Sequence, residues 1–369
     1  MGAISWESVG VDGKARAGLL NTPHGVVQTP AFMPVGTRAA VKAVDIDDLQ
    51  ALSAEIILSN TYHLMLRPGA ELIADLGGLH GFMNWQGPIL TDSGGFQIFS
   101  LDPRITEDGA AFRSIYDGSK VHLTPEDAVL VQQRLGPDIA MVLDVCVGLP
   151  APSETVEMEM RRTLRWGERC IEAHTRPDQA LFGIVQGGVD DDLRAESAAK
   201  TAALGFPGFG IGGLSVGESA EERNRALDAA VAELPFDMPR YVMGLGDTEG
   251  LLDAIARGAD MFDCVLPTRL ARHGKVLTPT GDFNINKTMY ERDETPIDPD
   301  CECTTCSRHS KAYLRHLVRM KELSAHRLLS VHNLHYILRL ISEARSSIEE
   351  GRFDGYVADV RTARENGSP

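Results

Sequence analysis

The sequence predicts an α/β protein. The expected architecture is a closed (β/α)8 TIM barrel with an N-terminal antiparallel cap and a small subdomain inserted near the C-terminus. Three observations carry this. Eight short apolar runs, separated mostly by helical patterns, recur between Phe32 and Val265. Polar side chains stand at the C-terminal ends of several different runs, not of one. After the last run comes Cys301-Glu-Cys303-Thr-Thr-Cys306, with five histidines downstream. Three thiols at that spacing, with imidazoles nearby, are the ligand set of a closed tetrahedral zinc site, so the insertion reads as a zinc-binding subdomain.

In chain order, residues 1–29 carry the turn markers Gly10, Asp12-Gly13 and Gly25 and read as the antiparallel cap. The apolar runs are 32–37, 55–60, 89–92, 139–144, 181–186, 209–214, 241–245 and 261–265. Near-continuous apolar strands alternating with helices indicate a parallel sheet covered on both faces. An open sheet gathers its site at one crevice, whereas a barrel gathers it around a rim. Asn60, Asp92, Asp144, Gln186 and Asp263 end different runs, which favours the barrel. Thr124-Pro125-Glu126-Asp127 opens a helix with a cap, a first-turn proline and first-turn acids. Further helices are expected from Ser153 to about His174, from Ser219 to Leu234 and from Leu334 to Ile348. The polar stretch Leu101–Lys120 is expected to be a long loop acting as a lid or touching substrate. The expected organisation is a cap (1–29), a catalytic barrel (30–270 and 334–369) and a zinc-binding subdomain (271–333).

Composition narrows the class. Apolar residues make up 43% of the chain, enough for a sizeable core. No run of eighteen apolar residues exists, so no membrane span is expected. The first residues lack a basic region followed by an apolar stretch, so no secretory signal is expected. The cysteines read as metal ligands and buried thiols, which points to a reducing, cytoplasmic compartment. The net charge of −16 argues against a non-specific nucleic-acid binder. Residues 303–330 nevertheless hold six cations against one acid, Glu322. Arg308, Lys311, Arg315 and Arg319 have a spacing that lines one face of a helix. Arg269, Arg272, His273 and Lys275 follow Asp263 closely and would suit phosphates beside it. Ordinary salt bridges within an acidic protein are the other reading of both groups.

The chemistry-bearing residues fall into three sets. For the metal, spacing leaves the fourth ligand open among His309, His316, His326, His332 and His335; His332 opens the last helical pattern. Asp92 and Asp263 end strands. Two such carboxylates can divide labour, one attacking an anomeric carbon and the other moving a proton; alternatively, each caps a nearby loop. Asp144, Gln186 and the bare backbone at Gly212-Gly213-Leu214 can meet the edge of a purine-like base, with Phe96 and Met243 on its faces. Phe96 and Met243 would otherwise be plain core.

Taken together, these segments resemble bacterial tRNA-guanine transglycosylase over nearly the whole chain. The resemblance rests on 90–97 (Leu-Thr-Asp-Ser-Gly-Gly-Phe-Gln), 144–146 (Asp-Val-Cys), 183–188 (Gly-Ile-Val-Gln-Gly-Gly), 212–217 (Gly-Gly-Leu-Ser-Val-Gly), 241–244 (Tyr-Val-Met-Gly), 263–269 (Asp-Cys-Val-Leu-Pro-Thr-Arg), and the cysteine cluster with Val331-His332-Asn333. It implies an enzyme of queuosine biosynthesis that exchanges guanine at the wobble position (34) of G-U-N anticodon tRNAs for 7-aminomethyl-7-deazaguanine. It further implies a covalent tRNA–enzyme intermediate on Asp263 as nucleophile, with Asp92 as general acid/base. Asp144, Gln186, Gly213 and Leu214 would read the base, and Phe96 and Met243 would stack on it. Cys301, Cys303, Cys306 and His332 would hold one structural Zn2+. Arg269, Arg272, Lys275, Lys311 and Arg315 are the candidate RNA contacts, and a homodimer is expected. Eukaryotic members, which take the bulkier queuine, have glycine where this chain has Val216. Phe96 replaces a tyrosine found in some members, which keeps the stacking face. A non-catalytic RNA-binding subunit of the same fold and an unrelated barrel glycosidase are the rival readings.

Overall fold

The structure is a computed structural model and describes residues 2–367. Strands Ser5–Asp12, Ala15–Thr22 and Gly25–Thr29 form an antiparallel sheet in that order. Its first turn passes through Gly13 at φ +62°, a left-handed conformation that glycine adopts without steric cost. Leu20 and Val27 are fully buried.

The eight barrel strands are β1 (Ala31–Gly36), β2 (Ile57–Ser59), β3 (Ile89–Thr91), β4 (Ile139–Met141), β5 (Ala180–Val185), β6 (Phe209–Ile211), β7 (Arg240–Val242) and β8 (Met261–Cys264). They close in sequence order. Closure is made by parallel pairing of β8 with β1, with Phe262 opposite Phe32 and Asp263 opposite Met33. Every residue of β2 to β7 is buried. Apolar runs without alternation are what a sheet covered on both faces requires. Each of the eight strands falls in one of the runs read from the sequence.

The N-terminal sheet is tied to the end of the barrel where the strands start. Arg16 donates from Nε and Nη2 to the two carboxylate oxygens of Asp260 at 2.9 and 2.5 Å, and both side chains are fully buried. Asp260 immediately precedes β8 and also accepts the Arg240 N–H at 2.7 Å. Removing one partner of such a pair costs roughly 3–5 kcal/mol, because the other is left as an uncompensated buried charge. The opposite end, where the strands finish, remains open for a site.

Helix starts follow the local signals. Thr124 and Asp127 exchange side-chain and backbone bonds in a capping box, with Pro125 in the first turn, and Pro125–Leu135 is helical. Ser219 and Glu222 do the same for Ala220–Glu233. Ser153–Ala173 is a helix as expected.

Two elements differ from the sequence reading. Residues 101–120 are not one long loop. Arg104–Ile105, Ala110–Arg113 and Lys120–Leu123 form a three-stranded antiparallel sheet, strands too short and too polar to announce themselves. The last barrel helix does not begin at Leu334 but runs from Leu323 to Glu349, so His332 lies well inside it. Its N-cap, Glu322, makes no side-chain capping bond, so the sequence carries no start signal there. Arg308 lies in a turn before the helix Lys311–Arg319, so the four basic residues do not share one helical face. Among the described residues no helix is long and apolar enough to cross a membrane.

Candidate active site

The rim residues converge on one cavity of about 420 Å³ at the C-terminal end of the barrel. Its wall includes Asp92, Phe96, Asp144, Gly213, Leu214, Val216, Met243, Asp263 and Arg269. Gln186 stands behind the wall. Its amide Nε2 donates to Asp144 Oδ2 at 2.7 Å.

Asp92 ends β3 and is held by β2's following turn. Its Oδ1 accepts the Thr61 N–H at 2.8 Å, and Asn60 Nδ2 donates to Oδ2. Burial pushes this carboxyl up to about 6, against the pull of the Asn60, Thr61 and Gln97 hydrogen bonds; the negative charge of Asp263 adds to the rise. Asp263 sits in β8. Its Oδ1 accepts both the Tyr241 hydroxyl at 2.5 Å and the Gly244 N–H at 2.8 Å. Burial raises its proton affinity, and those two donors oppose the rise. Tyr241 itself is raised well above the usual phenol value, by burial first and then by the Asp263 charge, so it stays a donor. Among the described residues, Oδ2 of Asp263 has no protein donor.

The base-sized part of the cavity is built on β4 to β7. Asp144 Oδ1 accepts the Ser93 hydroxyl at 3.0 Å, so both its oxygens are aimed by neighbours. Burial raises its proton affinity, and the Gln186 and Ser93 bonds lower it. Two glycines are required by close approach. A Cβ at Gly213 (φ +65°) would lie 2.3 Å from Gln186 Oε1, and one at Gly95 would lie 2.5 Å from Asp144 Oδ1. The Gly212-Gly213 turn is gripped from below by Arg194, which the sequence reading missed. Its fully buried guanidinium donates to the carbonyls of Gly188 (2.7 Å), Val185 (3.1 Å), Gly212 (2.7 Å) and Gly213 (3.2 Å). Burial lowers its pKa to about 10, which still leaves it charged at neutral pH. Glu218 fixes the next two residues by accepting the Ser215 N–H and, at 2.9 Å, the Val216 N–H. Phe96 is 56% exposed on the helix Gly95–Phe99, and Met243 is half-buried, so neither is plain core.

The metal cluster is assembled as its spacing implied. Cys301, Cys303, Cys306 and His332 are all buried, with ligand atoms within 4.8 Å of one another. His332 Nδ1 lies 3.6, 3.7 and 3.3 Å from the three sulfurs. Bonds of ~2.3 Å to sulfur and ~2.1 Å to nitrogen give tetrahedral S–N edges of about 3.6 Å, so the residues fit a zinc-sized ion. Nε2 of His332 bonds the Leu277 carbonyl at 2.9 Å, which puts the proton there and leaves Nδ1 facing the thiols. His335, one turn on, also touches Cys301 Sγ, at 3.4 Å through Nδ1.

The candidate RNA contacts are less uniform. Arg269 is on the cavity wall. Arg272 donates to the Thr268 carbonyl at 3.0 Å, and Lys275 pairs with Asp282 at 3.6 Å. Lys311 is engaged by Asp293 (3.1 Å) and Thr295 (2.7 Å), and Arg315 by the Lys287 carbonyl (3.1 Å) and Glu291 (3.8 Å). Their side chains are only 14% and 15% exposed, so internal salt bridging accounts for both.

Sequence comparison agrees with this geometry. The family profile described as Queuine tRNA-ribosyltransferase matches residues 12–366. Proteins named Queuine tRNA-ribosyltransferase are similar over almost the full length. One from Herpetosiphon aurantiacus is 54% identical over 350 residues, covering 94% of this chain and 89% of the relative. One from Halothermothrix orenii is 52% identical, covering 92% of each chain. One from Listeria welshimeri is 51% identical over 366 residues, covering 98% and 96%. The match spans the cap, the barrel and the cysteine cluster alike, and on it this chain belongs to the queuine tRNA-ribosyltransferase family of pentosyltransferases.

Proposed function

We propose that this enzyme replaces guanine at the wobble position of G-U-N anticodon tRNAs with 7-aminomethyl-7-deazaguanine, as a step of queuosine synthesis. The observation that carries the reading is the pair Asp92 and Asp263 on one cavity wall, close enough that the charge of one holds the proton of the other.

In this reading Asp263 is the nucleophile. Its Oδ1 is held by Tyr241 and Gly244, so Oδ2 is the atom that attacks C1′ of the ribose. The Oδ2–C1′ bond forms as the C1′–N9 bond breaks, and guanine leaves with the electron pair and takes up a proton. The incoming base gives its N9 proton to the Asp92 carboxylate and attacks C1′, which releases Asp263. Two inversions retain the β-configuration, and one N-glycosidic bond replaces another without an external energy source. Asp144 accepts from the N–H edge of the base, the Gly213–Leu214 backbone meets its carbonyl, and Phe96 and Met243 face its planes. Val216 sits on the same wall, where a branched side chain disfavours a base as large as queuine. The target nucleotide must leave its stack, which a single-stranded anticodon loop makes cheap.

The cluster Cys301, Cys303, Cys306 and His332 is assigned to one structural zinc ion, which, when bound, crosslinks the segment after β8 to the long helix. The test of the function is incorporation of radiolabelled guanine into purified tRNA bearing a G-U-N anticodon. Label is expected in that tRNA and not in one whose wobble base is changed; no incorporation would overturn the proposal.

A further inference from the structure

We propose that Arg38, Arg67 and Tyr116 form a backbone-phosphate clamp for the RNA strand beside the reacting nucleotide. The proposal rests on the tRNA-directed reading above. The guanidinium of Arg67 lies 4.6 Å from the centroid of the Tyr116 ring, and that of Arg38 lies 5.3 Å from it. The two cations are therefore within roughly 10 Å of each other, about one screening length at physiological salt. Like charges so placed repel, and the face of one tyrosine offsets this only by about 1 kcal/mol per contact at an exposed site.

In this chain most such arginines find a carboxylate. Arg38 and Arg67 do not: both are exposed, and among the described residues neither has an ion pair or a side-chain hydrogen bond. The neighbouring Asp117 is occupied by Ser119, whose N–H and hydroxyl reach it at 3.1 and 2.7 Å. Two unpaired guanidinium groups sharing one ring lack an anion, and phosphate oxygens match their fork geometry.

The place fits the chemistry. Tyr116 Oη lies 3.1 Å from Nδ1 of His63, and His63 lines the same cavity as Asp92. Thr37, beside Arg38, lines it too. Arg38 follows β1, Arg67 follows the helix after β2, and Arg269 follows β8; these strands are neighbours in the closed barrel, in the order β8-β1-β2. The mouth is thus divided: base recognition on β4 to β7, and a cationic arc across β8, β1 and β2. Tyr116 comes from the three-stranded excursion at 104–123, which gives that excursion a function.

The test is fluorescence anisotropy of a labelled G-U-N anticodon stem–loop against wild type and Arg38→Ala/Arg67→Ala, over a range of KCl concentrations. Each single-strand phosphate contact contributes about 0.7 to the slope of log K against log salt. The double variant is expected to lower the slope by about 1 and to weaken low-salt binding at least about tenfold. Arg38→Lys/Arg67→Lys should keep the slope and lose part of the affinity. Both side chains are exposed and bond nothing else, so melting temperature should not move. Unchanged slope and affinity in Arg38→Ala/Arg67→Ala overturn the clamp. So does tight binding of inorganic phosphate that this double variant loses, since the site would then serve a small anion. Guanine exchange by wild type is scored separately: exchange with an unmoved slope removes the clamp alone, and a moved slope without exchange removes the base-exchange reading alone.

Discussion

The Tyr241 hydroxyl and Asp263 Oδ1 are 2.5 Å apart, and the Gly244 N–H meets that same oxygen at 2.8 Å. One oxygen of the carboxylate is thereby committed to the protein and the other left for chemistry. A hydrogen bond to a charged group contributes about 1.5–3 kcal/mol.

Tyr241→Phe is therefore expected to reduce kcat/KM by at least about tenfold, the factor that 1.4 kcal/mol represents. The Tyr241 bond lowers the Asp263 pKa, so its loss should also move the acidic limb of the rate profile to higher pH. An unchanged profile and rate would show that the hydroxyl neither aims nor tunes the nucleophile.

Asp92, pushed up to about 6 by burial, sets a second pH dependence. As acceptor of the incoming base's proton it must be ionised, so exchange should fall as pH drops through about 6. The stability sign runs the other way. A carboxyl whose folded pKa exceeds its unfolded value of 3.8 favours the fold fully below 3.8, and that contribution is lost as pH rises through 6. Asp92→Asn should abolish exchange, and its melting temperature relative to wild type should rise between pH 4 and pH 7.5. A relative melting temperature that falls over that range would contradict the assignment of the raised pKa.

Arg194 has no carboxylate partner among its printed contacts and bonds four carbonyls in the turn that shapes the base pocket. Arg194→Met leaves those acceptors buried without donors, at roughly 1–3 kcal/mol for each one left unsatisfied. Thermal unfolding should show a large loss of stability, and calorimetry a loss of guanine affinity in whatever folded fraction remains. Retention of both would mean the turn holds its own shape.

What the sequence disclosed and what it hid divide along physical lines. The barrel strands are legible because burial on both faces leaves uninterrupted apolar runs. Asp92 and Asp263 are legible because strand ends fix where a side chain must stand. Arg194 is not: in Asp190-Asp191-Asp192-Leu193-Arg194 it reads as one more surface charge, and only tertiary packing turns it inward. Lys311 and Arg315 err the opposite way, since helical spacing cannot reveal that Asp293 and Lys287 lie opposite them. Tyr116 lies 78 residues from Arg38 in the chain, a contact that no local pattern encodes.

The cysteine cluster gives a prediction separate from catalysis. Cys303→Ala should lose the bound zinc and lower the melting temperature before it changes any kinetic constant, because the ligands lie after the last barrel strand and none is on the cavity wall. Metal analysis showing one zinc per chain in that variant would contradict the ligand set. A strong chelator should reproduce the loss in wild type, and added zinc should reverse it.

Val216 carries the base-size expectation. Val216→Gly should improve the use of queuine relative to 7-aminomethyl-7-deazaguanine in competition assays. An unchanged ratio would place the size limit elsewhere on the wall.

The most direct test of the account is to incubate the enzyme with a G-U-N stem–loop without added base, denature, digest, and locate the RNA-linked peptide by mass spectrometry. The account predicts one adduct, on Asp263, absent from Asp263→Ala. An adduct on Asp92, or one that survives in Asp263→Ala, would contradict it.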